Sequence, residues 1–562
     1  MIKNKGALAA KRSASLCRNH DSDKALPDSL EAARLRPPKN STFLKPTLSI
    51  LLAALAVVAV SCKVGPNYVT PGAGVAGQWM ENSTITNRPF NAAEDYWWRN
   101  FDDPVLNQLV ETAFRNNRSL QAAGVRILAA RAQLNEAVGN LFPQQQGISG
   151  QANYSWLNSK NPAVGADLVT EQILFAATWE IDFWGKYRRG IESDRASFLG
   201  SIAAYDDALV TLIADVAGSY VNIRTLEEQL NVAAKNVATQ KESLRIARAQ
   251  FKAGETSERD VQQATAQLAQ TEAQIPQLEQ ALAQTKDGLA VLLGETPDQI
   301  ARRLTGGPGL IPTAPAQVAV GIPRDLLRRR PDVREAGLAA ASQSALIGVA
   351  RASMYPAFSL SGEFGVAGNN AGKTALADMF NWQSRAINTG AGFVFPVFNY
   401  GRLVNQVRVQ DAQFQQAVLN YQNTVLQAQQ EVEDGLAAFA GQQRVVTRLT
   451  EAAAAARRST DLAMIQYKGG QTDYTTVLSA EQAQLAVEDA LASARGGVVQ
   501  GIVSVYRALG GGWQIREGHD VVSDEVKAEM SRRTDWGRML EASHHLPETP
   551  LPEVTARAKD GK

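Results

Sequence analysis

The sequence predicts a mainly α-helical chain whose short strands form part of a β-barrel in a membrane. Three observations lead to this fold class: the chain repeats itself, each copy carries one very long helix, and each copy carries two short segments of alternating polarity. The 562 residues contain 57 basic and 56 acidic side chains, so the formal net charge is only +1. A nearly neutral chain offers no broad basic surface, and we expect no nucleic-acid partner.

The repeat is visible as short segments that return in the second half of the chain. The first two return 216 residues later (401 − 185 = 216; 470 − 254 = 216), and the third returns 213 residues later (356 − 143 = 213). These pairs are Phe183–Lys186 with Asn399–Arg402, Gln250–Gly254 with Gln466–Gly470, and Leu141–Pro143 with Met354–Pro356. A duplication of this length predicts one structural unit built from two similar repeats, at 104–314 and 315–513.

Each repeat is predicted to contain one very long helix. No proline interrupts the chain from Tyr187 to Lys252 or from Gly401 to Lys468. In the first of these segments every seventh residue is apolar, at Leu209, Val216, Ile223, Leu230, Val237, Leu244 and Phe251. A sustained seven-residue repeat predicts coiled-coil packing against other helices. About 65 helical residues would extend roughly 100 Å, far beyond what a globular core requires.

Glycines mark the ends of both long helices, at Gly254 and at Gly469-Gly470. Glycine suits a helix end at which the chain reverses, so we expect two helical hairpins with tips near 254 and 470. The second returning helix is predicted from about Thr475 to Leu509. Pro276 should kink or interrupt the first returning helix.

The strand-like segments are expected at about 147–156 and 172–183 in the first repeat, and at about 358–366 and 387–398 in the second. Each has an apolar, aromatic-rich face and a polar face, as a half-buried strand requires. A soluble sandwich is one interpretation, but alternating segments of about ten residues with aromatic side chains are typical of a membrane barrel. Four strands cannot close such a barrel, and open edges are excluded from lipid, so we predict an oligomer.

The amino terminus has the features of an export signal. Residues 1–61 are predicted to be a leader that is removed, because the apolar run Leu48–Val60 follows Lys45 and is too short for a comfortable membrane span. Ala59-Val60-Ser61-Cys62 is similar to a bacterial lipoprotein processing site. We therefore expect Cys62 to be the lipid attachment residue of a lipidated segment, 62–103. Residues 514–562 are expected to form a polar C-terminal tail.

The residue types that support catalysis are sparse. All four histidines lie outside the repeats, and the sequence contains no Cys/His cluster and no GxxxxGK loop. The basic triplet Arg328-Arg329-Arg330 is most simply a helix surface. We predict that the chain is not an enzyme, that it binds no metal, and that it needs no cofactor.

Three motifs resemble the outer-membrane efflux channel family of the TolC/OprM type, in particular its lipoprotein branch. Cys62–Tyr68, followed by Pro71, is similar to the C-x-V-G-P-D/N-Y-x-x-P start of that branch. Gly321–Val333 resembles its G-(L/I)-P-S-x-L-L-x-R-R-P-D-(I/V) segment, with Arg324 in place of the usual serine. Phe398–Arg402 resembles its F-(D/N)-x-G-(R/K) turn from strand to helix.

This resemblance implies a homotrimer in the bacterial outer membrane, with each chain giving four strands to a twelve-stranded barrel. A coiled-coil α-barrel would continue the duct through the periplasm. The expected function is passive conduction of drugs or other small toxic molecules, in partnership with a periplasmic adaptor protein and an inner-membrane efflux pump. Two alternatives remain open at this point: a type I secretion duct for proteins or peptides, and a non-conducting coiled-coil envelope lipoprotein.

The resemblance also implies roles for particular residues. The hairpin tips would face the periplasm, with Tyr467, Asp473, Ser479 and Gln482 as the gate. Adaptor contact is expected at the exposed turns, namely Gly254, Glu255, Thr256, Ser257, Gly469, Gly470, Gln471 and Thr472. The polar strand faces place three acids in the barrel, and we predict that these acids line the pore: Glu180, Asp182 and Glu363.

Overall fold

Two long helical hairpins and one four-stranded sheet dominate the described part of the chain. The computed structural model describes residues 63–80, 85–86, 95–156, 167–304, 309–315, 317–321, 323–325, 329–370 and 378–541. The predicted leader and Cys62 lie outside the described residues.

The elements follow the order that the repeat predicts. The described α-helices are α1 (Pro104–Asn116), α2 (Arg118–Gly139), α3 (Lys186–Ala253), α4 (Glu258–Leu293), α5 (Pro297–Leu304), α6 (Pro331–Ala352), α7 (Arg402–Lys468), α8 (Tyr474–Ala508) and α9 (Asp524–Arg533). The described strands are β1 (Ile85–Thr86), β2 (Gln145–Trp156), β3 (Asp167–Ile181), β4 (Val318–Ala319), β5 (Ala357–Asn369) and β6 (Arg385–Val394).

The two long helices are present and have nearly the predicted bounds. Helix α3 has 68 residues and helix α7 has 67. The seven-residue seam of α3 is buried at Leu209, Val216 and Ile223 but is exposed at Phe251, where the helix ends. Part of α3 is long and apolar enough to cross a membrane by length and composition, yet 61% of that part is buried inside the protein. Packing between helices therefore accounts for its apolar character.

The returning helices complete the hairpins. Helix α8 lies within one residue of its predicted bounds at each end. Helix α4 runs through Pro276 without ending there, so an interruption at this proline is not observed. The Pro276 ring is exposed to solvent.

The sheet has the order β2-β3-β5-β6, and every neighbouring pair is antiparallel. The register aligns Ile148 with Phe175, Phe175 with Phe364, and Phe364 with Ile387, so these four side chains share one face. All four are exposed large apolar side chains. Strand β6 ends at Val394, before the predicted limit of 398; Pro396 lies in the segment that follows and offers no N–H group for a strand ladder.

The main core lies where α1, α2, α3, α7 and α8 meet, beside a tryptophan-rich turn. Trp97 stacks on Tyr506 with ring centroids 5.3 Å apart. The C-terminal region packs onto the same core: Val521 and Val522 are buried and helix α9 follows them. The described residues 514–541 therefore include a short helix and buried side chains, whereas a polar tail was expected.

Candidate functional site

The two hairpin tips share one backbone geometry. Gly254 and Gly470 adopt left-handed conformations, with φ of +78° and +68°. The N–H of Glu255 donates to a carbonyl five residues earlier at 3.0 Å, and the N–H of Gln471 does the same at 2.9 Å. These bonds form a Schellman turn in each repeat. Six of the eight predicted adaptor-contact residues are exposed, whereas Thr256 and Thr472 are half-buried.

Tyr467 is buried at the second tip, whereas its counterpart in the first repeat is not. The Tyr467 side chain is 3% exposed, and Phe251, 216 residues earlier, is 44% exposed. The Tyr467 ring packs edge-on against Tyr474, with centroids 5.5 Å apart. Its backbone carbonyl accepts a hydrogen bond from the Gln250 side chain at 2.9 Å. Tyr467 therefore joins the second hairpin to the first.

The other three predicted gate residues have different surroundings. Gln482 donates to the Gln267 side chain of α4 at 2.9 Å, so it too links the two hairpins. Asp473 is exposed and accepts from the hydroxyl of Thr476, three residues later, at 3.3 Å. Ser479 is exposed on α8. Among the described residues no hydrogen bond joins Asp473 or Ser479 to Tyr467.

A line of polar contacts between the hairpins was not predicted from the sequence. We call it the polar seam, and it consists of four α3 residues spaced seven apart together with their partners in the second hairpin. The pairs are Gln229 with Asp489, Asn236 with Glu488, Ser243 with Glu481, and Gln250 with the carbonyl of Tyr467. The seven-residue spacing of the polar positions in α3 is the signal that could have revealed it.

Glu481 occupies the least usual position in the polar seam. Its side chain is 1% exposed, and the Ser243 hydroxyl donates to its carboxylate. Burial raises the pKa of the Glu481 carboxyl above its ordinary value, since a charge is costly away from water. Hydrogen bonds from Ser243 and Tyr474 oppose that rise only in part.

The three predicted pore acids lie on or beside one face of the sheet. Glu363 is half-buried on β5 and lies 3.5 Å from the Asn388 side-chain nitrogen of β6. Glu180 accepts from the Lys186 ammonium group at 3.0 Å. The Asp182 carboxylate accepts from two backbone N–H groups in the first turn of α3 and so caps that helix.

The first described residues lie against the junction between β3 and α3. The N–H of Val64 donates to the carbonyl of Trp184 at 3.1 Å. Arg189, whose side chain is buried, donates to the carbonyls of Val64 and Gly65, both at 3.1 Å, and to the Asn67 side chain at 2.9 Å. The chain after Cys62 is therefore attached where the sheet meets the long helix.

The described residues show no group of three or more His, Cys, Asp or Glu side chains arranged to hold a metal ion. The features that the structure does bring together are an exposed apolar sheet face, a polar opposite face, and two hairpin tips joined by buried polar contacts. These features suit a passage or a support rather than a reaction centre.

Comparison with a protein-family model gives a match that follows the internal repeat. The model for the outer membrane efflux protein family matches residues 109–295 and 322–511. These two segments correspond to the two repeats, and together they cover more than half of the chain.

Two relatives and one solved structure extend this similarity over most of the chain. The toluene efflux pump outer membrane protein TtgC of Pseudomonas putida is 30% identical over 481 residues, covering 84% of this chain and 97% of TtgC. The probable outer membrane lipoprotein SilC of Salmonella typhimurium is 27% identical over 478 residues, covering 82% of this chain and 98% of SilC. The outer-membrane channel OprN superposes with a TM-score of 0.74 at 32% identity, covering 81% of this chain and 100% of OprN.

Proposed function

We propose how this chain works from the premise that it belongs to the outer membrane efflux protein family and is an outer-membrane efflux channel. The resemblance drawn from the three sequence motifs is confirmed by the family match. The channel is an outer-membrane protein that extends into the periplasm. Its finer assembly is our proposal: three identical chains close one barrel and one helical duct.

The sheet supports assembly into a closed barrel. Strands β2 and β6 are its edges, and each is paired on one side only within the described residues. An unpaired strand edge is not tolerated in lipid, so each β6 edge requires the β2 edge of another chain. The exposed apolar face with Ile148, Phe175 and Phe364 then faces the hydrocarbon, and the polar face lines the duct.

Exposed aromatic side chains mark both ends of the sheet. They are Trp156, Phe380 and Trp382 at the end far from the helices, and Phe393, Phe395 and Phe398 at the helical end. Strand β6 has 10 residues. At about 3.3 Å per residue and a tilt of about 40°, it would rise roughly 25 Å, the height of the apolar band of outer-membrane barrels.

The internal repeat predicts one contact between neighbouring chains. Within the chain, the Trp184 indole stacks on Tyr355 at 4.6 Å and donates to the carbonyl of Pro356 at 2.8 Å. The counterparts of Trp184 and Tyr355 in the other repeat are Tyr400 and Phe142, which are 99% and 64% exposed. Trp184 lies at the junction of β3 and α3, and Tyr400 lies at the junction of β6 and α7. If these two junctions are packed alike around a ring of chains, Tyr400 of one chain packs on Phe142 of the next.

Thiol cross-linking tests this contact and the trimer together. We expect the double variant Phe142→Cys, Tyr400→Cys to give a covalent trimer with a short bifunctional thiol reagent in membranes. The matched control pairs Tyr400→Cys with Glu255→Cys, which lies at the far hairpin tip and should give no cross-link. A double variant at 142 and 400 that stays a monomer under these conditions would refute the proposed packing.

The duct itself would consume no nucleotide and catalyse no reaction. Glu180, Asp182 and Glu363 line the barrel in this proposal, and their charge tunes which solutes pass. The tip with Tyr467, Asp473, Ser479 and Gln482 constricts the closed duct. The eight turn residues named above contact a periplasmic adaptor protein, which links the channel to an inner-membrane pump. Drugs or other small toxic molecules are the proposed substrates.

One observation carries the proposal: an exposed apolar sheet face continues directly into two hairpins whose long helices exceed sixty residues. The test is current through planar bilayers that contain the purified full-length protein, together with drug susceptibility of a strain that lacks the gene. We expect discrete conductance steps in the bilayer. The strain that lacks the gene should be sensitive to drugs, and the wild-type gene should restore its resistance. A purified trimer that never conducts, even after Tyr467→Ala, would favour a coiled-coil spacer instead.

A further inference from the structure

Glu481 differs from the other buried acid of the polar seam in what neutralises it. Glu488, seven residues later on the same face of α8, accepts from Asn236 at 2.9 Å, from Gln484 at 3.1 Å and from the Arg457 guanidinium. Within the described residues, the hydrogen-bond partners of the Glu481 carboxyl group are two neutral hydroxyls, those of Ser243 and Tyr474. Among the described residues, no Lys, Arg or His forms an ion pair with Glu481.

Counting hydrogen atoms favours a protonated Glu481 when the two hairpins are in contact. The Ser243 hydroxyl lies within hydrogen-bond distance of two acceptors, the Glu481 carboxylate and the carbonyl of Thr239 at 3.1 Å. A serine has one hydroxyl hydrogen, and a carbonyl cannot donate. If Glu481 carries a proton, it donates to Ser243, and Ser243 donates to Thr239, so both contacts are satisfied.

No nearby cationic side chain among the described residues would neutralise an ionised Glu481. Helix α3 presents Ser243, and about one turn earlier in the same helix the side-chain nitrogen and oxygen of Gln240 are buried without a hydrogen-bond partner among the described residues. Helix α7 presents Tyr467 and α8 presents Tyr474, which are neutral below their raised pKa values. Near these two tyrosines, helix α4 carries Asp260, a second buried acid, which accepts from Thr256 and lies 3.5 Å from the Arg259 guanidinium.

We propose that Glu481 is a proton-dependent positioning residue of the closed tip: protonated, it holds α8 against α3, and ionised, it favours their separation. This inference rests on the proposed gate and adds to it a residue on the seam behind Tyr467. An ionised carboxylate at this place would be buried without a cation, which is costly. Separation of the helices would admit water to Glu481 and to the unpartnered amide of Gln240.

The direction of the pH effect follows from which state binds the proton more tightly. Burial raises the pKa of Glu481 in the closed tip above its ordinary value of 4.5, which a hydrated open tip would restore. The protonated Glu481 therefore stabilises the closed tip fully below the ordinary glutamate pKa. This stabilisation is lost as pH rises through the pKa that Glu481 has in the closed tip. Between these two values each Glu481 raises the open-to-closed ratio up to tenfold for each pH unit.

The test is the open probability of the full-length channel in planar bilayers, measured from about pH 5 to pH 8. We expect wild type to open more often as pH rises. Glu481→Gln keeps the shape and hydrogen-bonding capacity of the protonated acid, and it should stay as closed at high pH as wild type is at low pH. The matched control is Glu488→Gln, which should keep the wild-type pH response because its acid already has a cation.

Infrared difference spectroscopy gives a readout that does not depend on conduction. Wild type minus Glu481→Gln should show the carbonyl stretch of a protonated carboxyl group at a pH above 4.5, the ordinary pKa of a glutamate. Absence of this band, or a Glu481→Gln channel with an unchanged pH response, would overturn the inference. A protein that shows the band and never conducts would instead count against the proposed channel, so the two failures are distinguishable.

Discussion

At the scale of single residues, buried charge decides where distant parts of the chain meet. Asp206 of α3 is fully buried and accepts from Arg334 of α6 at 2.7 Å and from Arg516 at 3.1 Å. The ring of Trp513 lies against both guanidinium groups, at 4.9 and 5.4 Å. One carboxylate thus joins the first long helix, the second repeat and the C-terminal region.

Asp206→Asn should destabilise the protein strongly, by about 3–5 kcal/mol, because two arginines lose the charge that neutralises them. Chemical denaturation of the detergent-solubilised protein measures this change. Asp215→Asn on the same helix is the control, since Asp215 is half-exposed and lies 3.9 Å from Arg507. Its cost should stay below about 1 kcal/mol. Equal losses in the two variants would contradict the assigned role of Asp206.

Tyr467→Ala should loosen the second tip, since removal of a buried aromatic ring costs about 3–5 kcal/mol of local packing. The expected result is greater uptake of large antibiotics by cells and a higher leak current in bilayers. Phe251→Ala is the matched control from the first repeat, and its exposed ring predicts a smaller effect. If both variants leak equally, or neither does, Tyr467 is not part of the gate.

At the scale of elements, the two hairpins are alike in their turns and different in their seams. Both tips use a left-handed glycine and the same pair of backbone bonds, so the turn is a property of the repeat. The buried acids Glu481 and Glu488 occur only in α8; the α4 positions 216 residues earlier are Thr265 and Glu272, of which Glu272 is exposed. The two glutamates that contact α3 in the polar seam therefore have no buried acidic counterpart at the matching positions of α4.

Pro276→Ala should stabilise α4, by up to about 3 kcal/mol, because it restores a backbone hydrogen bond in the helix interior. The exposed position of Pro276 means that the change leaves no cavity. Thermal unfolding followed by circular dichroism measures the gain. Gln277→Ala, the exposed neighbour, should change stability by less than about 0.5 kcal/mol. An unchanged or lower melting temperature for Pro276→Ala would contradict this expected gain.

At the scale of the whole molecule, the N-terminal segment contacts both repeats. After leaving the junction of β3 and α3, it follows the helices of the second repeat. The Tyr68 hydroxyl donates to the carbonyl of Gly337 at 3.0 Å, and the Trp79 indole donates to the carbonyl of Gly321 at 3.0 Å. This path begins at the membrane end of the helices, where an acyl anchor on Cys62 would enter lipid.

Cys62→Ser should abolish incorporation of labelled fatty acid, since the thiol is the proposed attachment atom. Assembly should survive, because the segment from Val64 to Asn67 is held by the buried Arg189 rather than by lipid. Metabolic labelling and a native gel measure the two outcomes. Arg189→Ala is the complementary variant, expected to keep the label and weaken the trimer. A labelled Cys62→Ser protein would place the processing site elsewhere.

The periodicity of residue types in the sequence predicted most of the secondary structure. The long helices, their glycine-terminated tips and the faces of the strands each depend on the spacing of residue types along a few turns or a few strand residues. The limits of β6 and the packing of the C-terminal region were not predicted, and of the two outcomes expected at Pro276 the interruption is not observed. The packing of the C-terminal region depends on neighbours that lie far away in the chain, such as Asp206 for Arg516.

The sequence by itself determined the duplication, the length of the hairpins and which strand face is apolar, because helix and strand geometry impose fixed periods on side-chain direction. Only the tertiary structure decided which polar residues are buried together, such as Asp206 with Arg516, or Ser243 with Glu481. The cost of burying a charge depends on the groups around it in space, and sequence spacing does not specify those groups.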